Sequence, residues 1–83
     1  MKVSKFGGSS VATAEQIQKV LNIINSDNER QIVIVSAPGK RHDKDTKTTD
    51  LLIRLYEKVI NQLDYQHKKS EILERFNDII KGL

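Results

Sequence analysis

Residues 32–35, in the segment RQIVIVSAPGK, constrain the fold of this chain more than any other feature. All four are β-branched and apolar, which favours an extended strand, and no polar residue interrupts them. A strand that is apolar at every position is typical of a parallel sheet that is covered on both faces. The sequence therefore predicts an α/β fold in which helices cover this strand.

Two other segments near the start of the chain complete a recognisable unit. MKVSKF alternates as a short strand does and is stopped by Gly7 and Gly8. TAEQIQKVLNIIN follows with the periodicity of an amphipathic helix, and Thr13 with Gln16 fits a capping box at its start. Strand, helix and buried strand in this order predict a parallel βαβ unit.

The second half of the chain is predicted to be helical. Residues 39–48 include no apolar side chain, so we expect a mobile surface loop whose charges are solvated. Helical periodicity resumes at positions 51, 52, 55, 59 and 63, and again at 72, 73, 76, 79 and 80. The polar residues between the two sets could form a loop or a turn within one long helix. Gly82 is predicted to end the last helix.

The size of the chain limits what it can bury. It has 83 residues, of which 37% are hydrophobic, and two strands do not make a stable sheet. We therefore expect it to be the opening piece of a larger α/β domain, whose remaining strands come from a longer parent or a partner.

Composition excludes several classes of function. The chain has no cysteine, and its two histidines lie far apart, which excludes a disulfide framework and favours no metal site. The net charge of +3 is spread over alternating acidic and basic residues rather than gathered beside aromatics, which argues against nucleic-acid binding. No apolar run or leader pattern predicts a membrane span or a signal peptide, so the expected location is cytoplasmic.

The segment KFGGSS suits a phosphate group. Gly7 and Gly8 would let backbone N–H groups approach a ligand closely, Lys5 would add a positive charge, and Ser9 would add a hydroxyl. The alternative is an ordinary turn between strand and helix. Neither the Walker A pattern nor the dinucleotide fingerprint GxGxxG is present.

Two further positions are candidates for the same site. Ser36 follows the buried strand, and parallel strands bring their carboxyl ends, where ligands bind, to one edge of the sheet. Thr48 or Thr49 begins the next helix, where a hydroxyl and free N–H groups could hold an anion. The alternatives are a local turn at Ser36 and a plain helix cap at Thr48 or Thr49.

Taken together, KFGGSSVA, IVIVSAPGKR and TTDLL resemble the aspartate kinases of the amino acid kinase family. The resemblance covers about the first 50 residues, in the family's order and spacing. It implies a mainly parallel αβα sandwich, of which residues 1–83 would be the N-terminal part of the catalytic domain. The rest of that domain and the regulatory domains would lie outside this chain.

The resemblance also implies an enzymatic activity and residue roles. Aspartate kinases transfer the γ-phosphoryl group of ATP, with Mg²⁺, to the side-chain carboxylate of L-aspartate, which opens lysine, threonine and methionine synthesis. Lys5 would neutralise charge on the transferring phosphate, Gly7, Gly8 and Ser9 would bind it, and Ser36 and Thr49 would bind the substrate. The parent would be a homo-oligomer whose metal and base ligands lie elsewhere, and residues 1–83 alone would be inactive.

Two other functions remain open. One is a different amino acid kinase that acts on glutamate or a related carboxylate, which the glycine loop alone does not exclude. The other is a small non-catalytic module that binds anions or a protein partner through its basic loop and amphipathic helices.

Overall fold

Two strands and three α-helices make up the chain. The computed structural model describes residues 1–83, and a short 3₁₀ helix, which the sequence did not predict, follows the first strand. In chain order the elements are β1 (Lys2–Phe6), the 3₁₀ helix (Gly8–Val11), α1 (Ala14–Asn25), β2 (Arg30–Val35), α2 (Thr48–Ile60) and α3 (Gln66–Gly82). The predicted order of strands and α-helices is confirmed.

The strands β1 and β2 pair in parallel, as predicted. Lys5 lies opposite Ile34 and Phe6 opposite Val35, and the backbone N–H of Ser36 donates to the Phe6 carbonyl at 3.2 Å. This last bond extends the pairing beyond β2. The glycine loop and the segment after β2 therefore leave the sheet side by side at the same edge.

Residues 1–83 cover β2 only partly, as expected of the opening piece of a larger domain. Its four apolar residues, 32–35, are each between 39% and 57% exposed. The helices pack mainly against one another and the 3₁₀ helix rather than across the sheet. Apolar side chains that face solvent on both sides of a strand are the surfaces on which further strands and helices of a parallel sheet would pack.

The core lies between the helices. Its buried apolar residues come from the 3₁₀ helix and the segment after it, and from α1, α2 and α3: Val11, Ala12, Val20, Leu51, Ile72 and Ile79. The other predicted apolar positions of α2 and α3 are only partly buried or exposed, for example Leu52 and Ile80. None of the helices combines the length and the apolar character needed to cross a bilayer.

The ends of the helices follow local rules. The side-chain oxygen of Thr13 accepts from the backbone N–H of Gln16 at 3.2 Å, which confirms the predicted cap of α1. Beyond α2, Gln62 adopts a left-handed backbone with φ of 56°, and Leu63 N–H donates to the Lys58 carbonyl at 2.9 Å. This hydrogen bond belongs to a Schellman motif. Residues 48–82 therefore form two helices rather than one.

Gly82 does not end α3 by a left-handed turn. It belongs to the helix, and no glycine in the chain has a positive φ. A Cβ atom at Gly82 would collide with the Cβ of Ala14. The glycine thus allows the end of α3 to approach the start of α1. Helix α3 ends at Gly82 as predicted, but the glycine serves this close contact rather than a left-handed turn.

Candidate functional site

A cleft of about 590 Å³ lies at the carboxyl edge of the two strands. It brings together residues of the glycine loop, the segment after β2 and the start of α2: Gly8, Ser9, Ser36, Ala37, Pro38, Gly39, Lys40, Lys47 and Thr49. Four of the six residues that the sequence singled out for the site therefore line one cleft: Gly8, Ser9, Ser36 and Thr49.

The other two candidates, Lys5 and Gly7, do not line this cleft. Lys5 is the penultimate residue of β1 and is exposed, and its side chain forms no hydrogen bond or ion pair with the rest of the chain. Gly7 joins β1 to the 3₁₀ helix, and a Cβ atom built on it would have no neighbour within 4 Å. The side chain of Lys5 and the space beside Gly7 are both accessible to a ligand.

Gly8 and Gly39 allow two loops to touch. The Gly39 N–H donates to the Gly8 carbonyl oxygen at 2.8 Å. A Cβ atom on Gly39 would lie 2.8 Å from the Gly8 carbonyl carbon, closer than real Cβ contacts come. Glycine is therefore needed here for contact between loops, whereas the sequence had suggested either that Gly8 allows contact with a ligand or that it belongs to an ordinary turn.

Helix α2 begins one residue earlier than its threonines predict. Lys47, with an extended backbone, is the N-cap residue and makes no side-chain cap, so the prediction that Thr48 or Thr49 caps the helix was wrong. Thr48 is 1% exposed, and its N–H donates to the Pro38 carbonyl at 3.2 Å, which anchors it inside the first turn.

Thr49 is exposed at the cleft end of α2. The backbone N–H groups of Thr49 and Asp50 donate to no atom of the chain. Free N–H groups in the first turn of a helix favour a bound anion. Lys40 and Lys47 at the cleft add positive charge, so the cleft suits an anionic ligand.

The loop between β2 and α2 is held by ionic contacts rather than solvated throughout. The Asp45 carboxylate accepts from the backbone N–H of Arg41 at 2.9 Å and from its Nε at 2.6 Å, and it also pairs with Arg75. The side chain of Asp45 is only 9% exposed. Hydrogen bonds from Arg41, reinforced by the charge of Arg75, hold the pKa of Asp45 well below its usual range, so this carboxylate stays ionised.

Sequence reasoning missed Arg75, which is 4% exposed and is the only charged residue in the buried set. The signal was present, because Ile72, Arg75 and Ile79 recur at the spacing of one helical face. An arginine on the apolar face of a helix either extends its guanidinium group to solvent or pairs it with an acidic side chain in the interior. Here it is paired with Asp45.

No three histidine, aspartate or glutamate side chains in the chain lie close enough together to hold a metal ion.

The fold and the cleft together define an α/β protein with a positively charged site at the carboxyl edge of a parallel strand pair. The sequence profile of the amino acid kinase family matches residues 1–80, and the chain belongs to this family.

Characterised relatives are aspartokinases. Aspartokinase 3 of Bacillus subtilis is 46% identical over 76 residues, which are 92% of this chain and 17% of that protein. The chloroplastic aspartokinase 2 of Arabidopsis thaliana is 42% identical over 59 residues, which are 70% of this chain and 10% of that protein. The resemblance to aspartate kinases is thereby confirmed.

The fold has a counterpart in a solved structure. The crystal structure of the Clostridium acetobutylicum aspartate kinase matches with a TM-score of 0.91 and 44% identity, over 98% of this chain and 19% of that chain. The α/β fold is confirmed by this match. The chain spans less than a fifth of the length of each of these relatives.

Proposed function

We propose that this chain is the N-terminal part of the catalytic domain of an aspartate kinase. The complete enzyme would transfer the γ-phosphoryl group of ATP to the side-chain carboxylate of L-aspartate and form 4-phospho-L-aspartate. This product enters lysine, threonine and methionine synthesis. The observation that carries the proposal is the single cleft that gathers Gly8, Ser9, Ser36 and Thr49 at the carboxyl edge of the sheet.

The glycine loop is assigned to the transferring phosphate. Lys5 has no partner in the chain, so its ammonium group is available to neutralise the charge that spreads over the phosphoryl oxygens. The space beside Gly7 admits a phosphate close to the backbone. Gly8 and Ser9 extend this surface into the cleft.

The start of α2 is assigned to the amino acid substrate. Ser36 and Thr49 each offer a hydroxyl to the cleft, and the free N–H groups of the first turn of α2 favour a carboxylate. Lys40 and Lys47 would attract an acidic substrate to the same place.

The reaction requires no protein nucleophile. An oxygen of the aspartate side-chain carboxylate forms a bond to the γ-phosphorus, the bond from that phosphorus to the bridging oxygen breaks, and ADP leaves with the electron pair. Positioning and charge neutralisation account for most of such catalysis. Mg²⁺ would accompany ATP and would take its protein ligands from the remainder of the domain. We place the enzyme in the cytoplasm as a homo-oligomer.

A chimera tests the proposal. In it, this chain replaces the aligned segment of Bacillus subtilis aspartokinase 3, with which it shares 46% identity over 76 residues. We expect the chimera to form aspartyl phosphate from ATP and L-aspartate, detected as the hydroxamate, and to prefer aspartate to glutamate. The 83-residue chain alone should show no turnover.

The unmodified Bacillus enzyme is the control for this assay. A chimera that folds but prefers glutamate would favour another amino acid kinase. A folded chimera without turnover would favour a non-catalytic module, and robust turnover by the 83-residue chain alone would contradict the assignment to part of a domain.

A further inference from the structure

Arg75 lies far from the glycine loop in sequence but contacts the segment that leads into α2. Its guanidinium pairs with the Asp45 carboxylate, donates to the Thr46 carbonyl oxygen at 2.5 Å, and lies 3.5 Å from the Thr48 hydroxyl. These three acceptors come from consecutive or nearly consecutive residues. One buried side chain of α3 therefore contacts three of the four residues in the segment 45–48.

This segment has little else to fix it. Residues 39–48 contain no apolar side chain, so hydrophobic packing cannot hold the loop. Two contacts within the connection between β2 and α2 also hold it: the Thr48 N–H donates to the Pro38 carbonyl at 3.2 Å, and Arg41 binds the Asp45 carboxylate. Leu51 packs the first turn of α2 into the core. Residues 45–48, which lead into that turn, depend on polar contacts, and Arg75 supplies those that come from α3.

Arg75 does not line the cleft, whereas Thr49 does. Thr49 directly follows Thr48, the last residue that Arg75 contacts. A planar guanidinium that meets several acceptors at once fixes their relative positions more tightly than a single point charge would. The contact can therefore act on the cleft through the backbone that carries Lys47 and Thr49, which both line it.

We propose that Arg75 is a positioning residue for the amino acid substrate: through Asp45, Thr46 and Thr48 it sets where Thr49 and the first turn of α2 stand in the cleft. The proposal rests on the proposed function, because that function assigns Thr49 to the substrate. It predicts that loss of the guanidinium weakens recognition of the amino acid more than recognition of the nucleotide.

Kinetic constants of the chimera test this role. Arg75→Met should raise KM for aspartate by about 10-fold, as expected for the loss of one hydrogen bond to the substrate, and should change KM for ATP much less. Arg75→Lys keeps the charge but not the planar guanidinium. Its KM for aspartate should lie between that of the parent chimera and that of Arg75→Met. Arg54→Met is the control, because Arg54 is an exposed arginine of α2 that forms no ion pair, and its constants should not change.

A structural readout separates this proposal from the proposed function. Hydrogen exchange of the chimera, followed by mass spectrometry, should show faster exchange at residues 45–49 in Arg75→Met and unchanged exchange in Arg54→Met. If the parent chimera lacks aspartate kinase activity, the proposed function fails, and faster exchange still supports the positioning of the loop.

Either of two results would overturn the role of Arg75. The first is unchanged exchange at residues 45–49 in a folded Arg75→Met variant. The second is an equal rise of KM for aspartate and for ATP, which would indicate a general loss of structure. If Arg75→Met does not fold, Arg75→Lys gives the same two comparisons with smaller changes.

Discussion

Replacing Lys5 by alanine in the chimera should lower kcat for aspartate phosphorylation by about 10²- to 10³-fold, the usual effect of removing one group that stabilises transition-state charge. Lys5 is exposed and unpaired, so its ammonium group supports no other part of the fold. The circular dichroism spectrum and the melting temperature should therefore stay those of the parent chimera. Steady-state kinetics with saturating ATP and aspartate measure the effect.

Lys19→Ala is the control for Lys5→Ala, because it removes an exposed lysine far from the proposed phosphate site. Lys19 is exposed on α1, away from the carboxyl edge of the strands, and also has no partner in the chain. Lys19→Ala should leave kcat unchanged. Turnover by Lys5→Ala close to that of the parent would show that Lys5 has no role at the transferring phosphate.

Replacing Gly39 by alanine should lower kcat/KM by about 10²-fold, because a displacement of catalytic groups of about 1 Å has this effect. The added Cβ would stand 2.8 Å from the Gly8 carbonyl carbon and 3.0 Å from the Ser9 nitrogen. Both are backbone atoms and cannot rotate away, so the glycine loop and the segment after β2 must separate. The melting temperature should fall as well, since inserting a methyl group into a closely packed contact is destabilising.

Gly7→Ala is the matched variant for stability. Its added Cβ has no neighbour within 4 Å, and the backbone of Gly7, with φ of −75° and ψ of 176°, is accessible to alanine. Gly7→Ala should therefore melt at the temperature of the parent chimera. If Gly39→Ala also melts at that temperature and turns over normally, the contact between the two loops does not hold the cleft together.

Most of the fold could be predicted from local sequence patterns. The apolar run of β2, the alternation of β1 and the periodicity of the helices depend on neighbouring residues, and they gave the correct order of elements. The cover of β2 could not be judged in the same way. A buried strand has the same sequence whether its cover comes from nearby residues or from distant ones.

The candidate site was predictable where the topology fixes it. Parallel strands must place Ser36 near the glycine loop, and the connection after β2 brings the start of α2 to the same edge. The role of Arg75 could not be predicted, because its acceptors lie about 30 residues earlier in the chain. Likewise, the contact between Gly8 and Gly39 depends on how two loops meet, which no local pattern encodes.

The most direct test of the account is a crystal structure of the chimera with L-aspartate and a non-hydrolysable ATP analogue. We expect the γ-phosphate within about 3 Å of the Lys5 ammonium and of a backbone N–H at Gly7 or Gly8. We expect the side-chain carboxylate of aspartate between Ser36 and Thr49. A structure in which both ligands bind away from the carboxyl edge of β1 and β2, with Lys5 and the cleft free of ligand, would contradict the account.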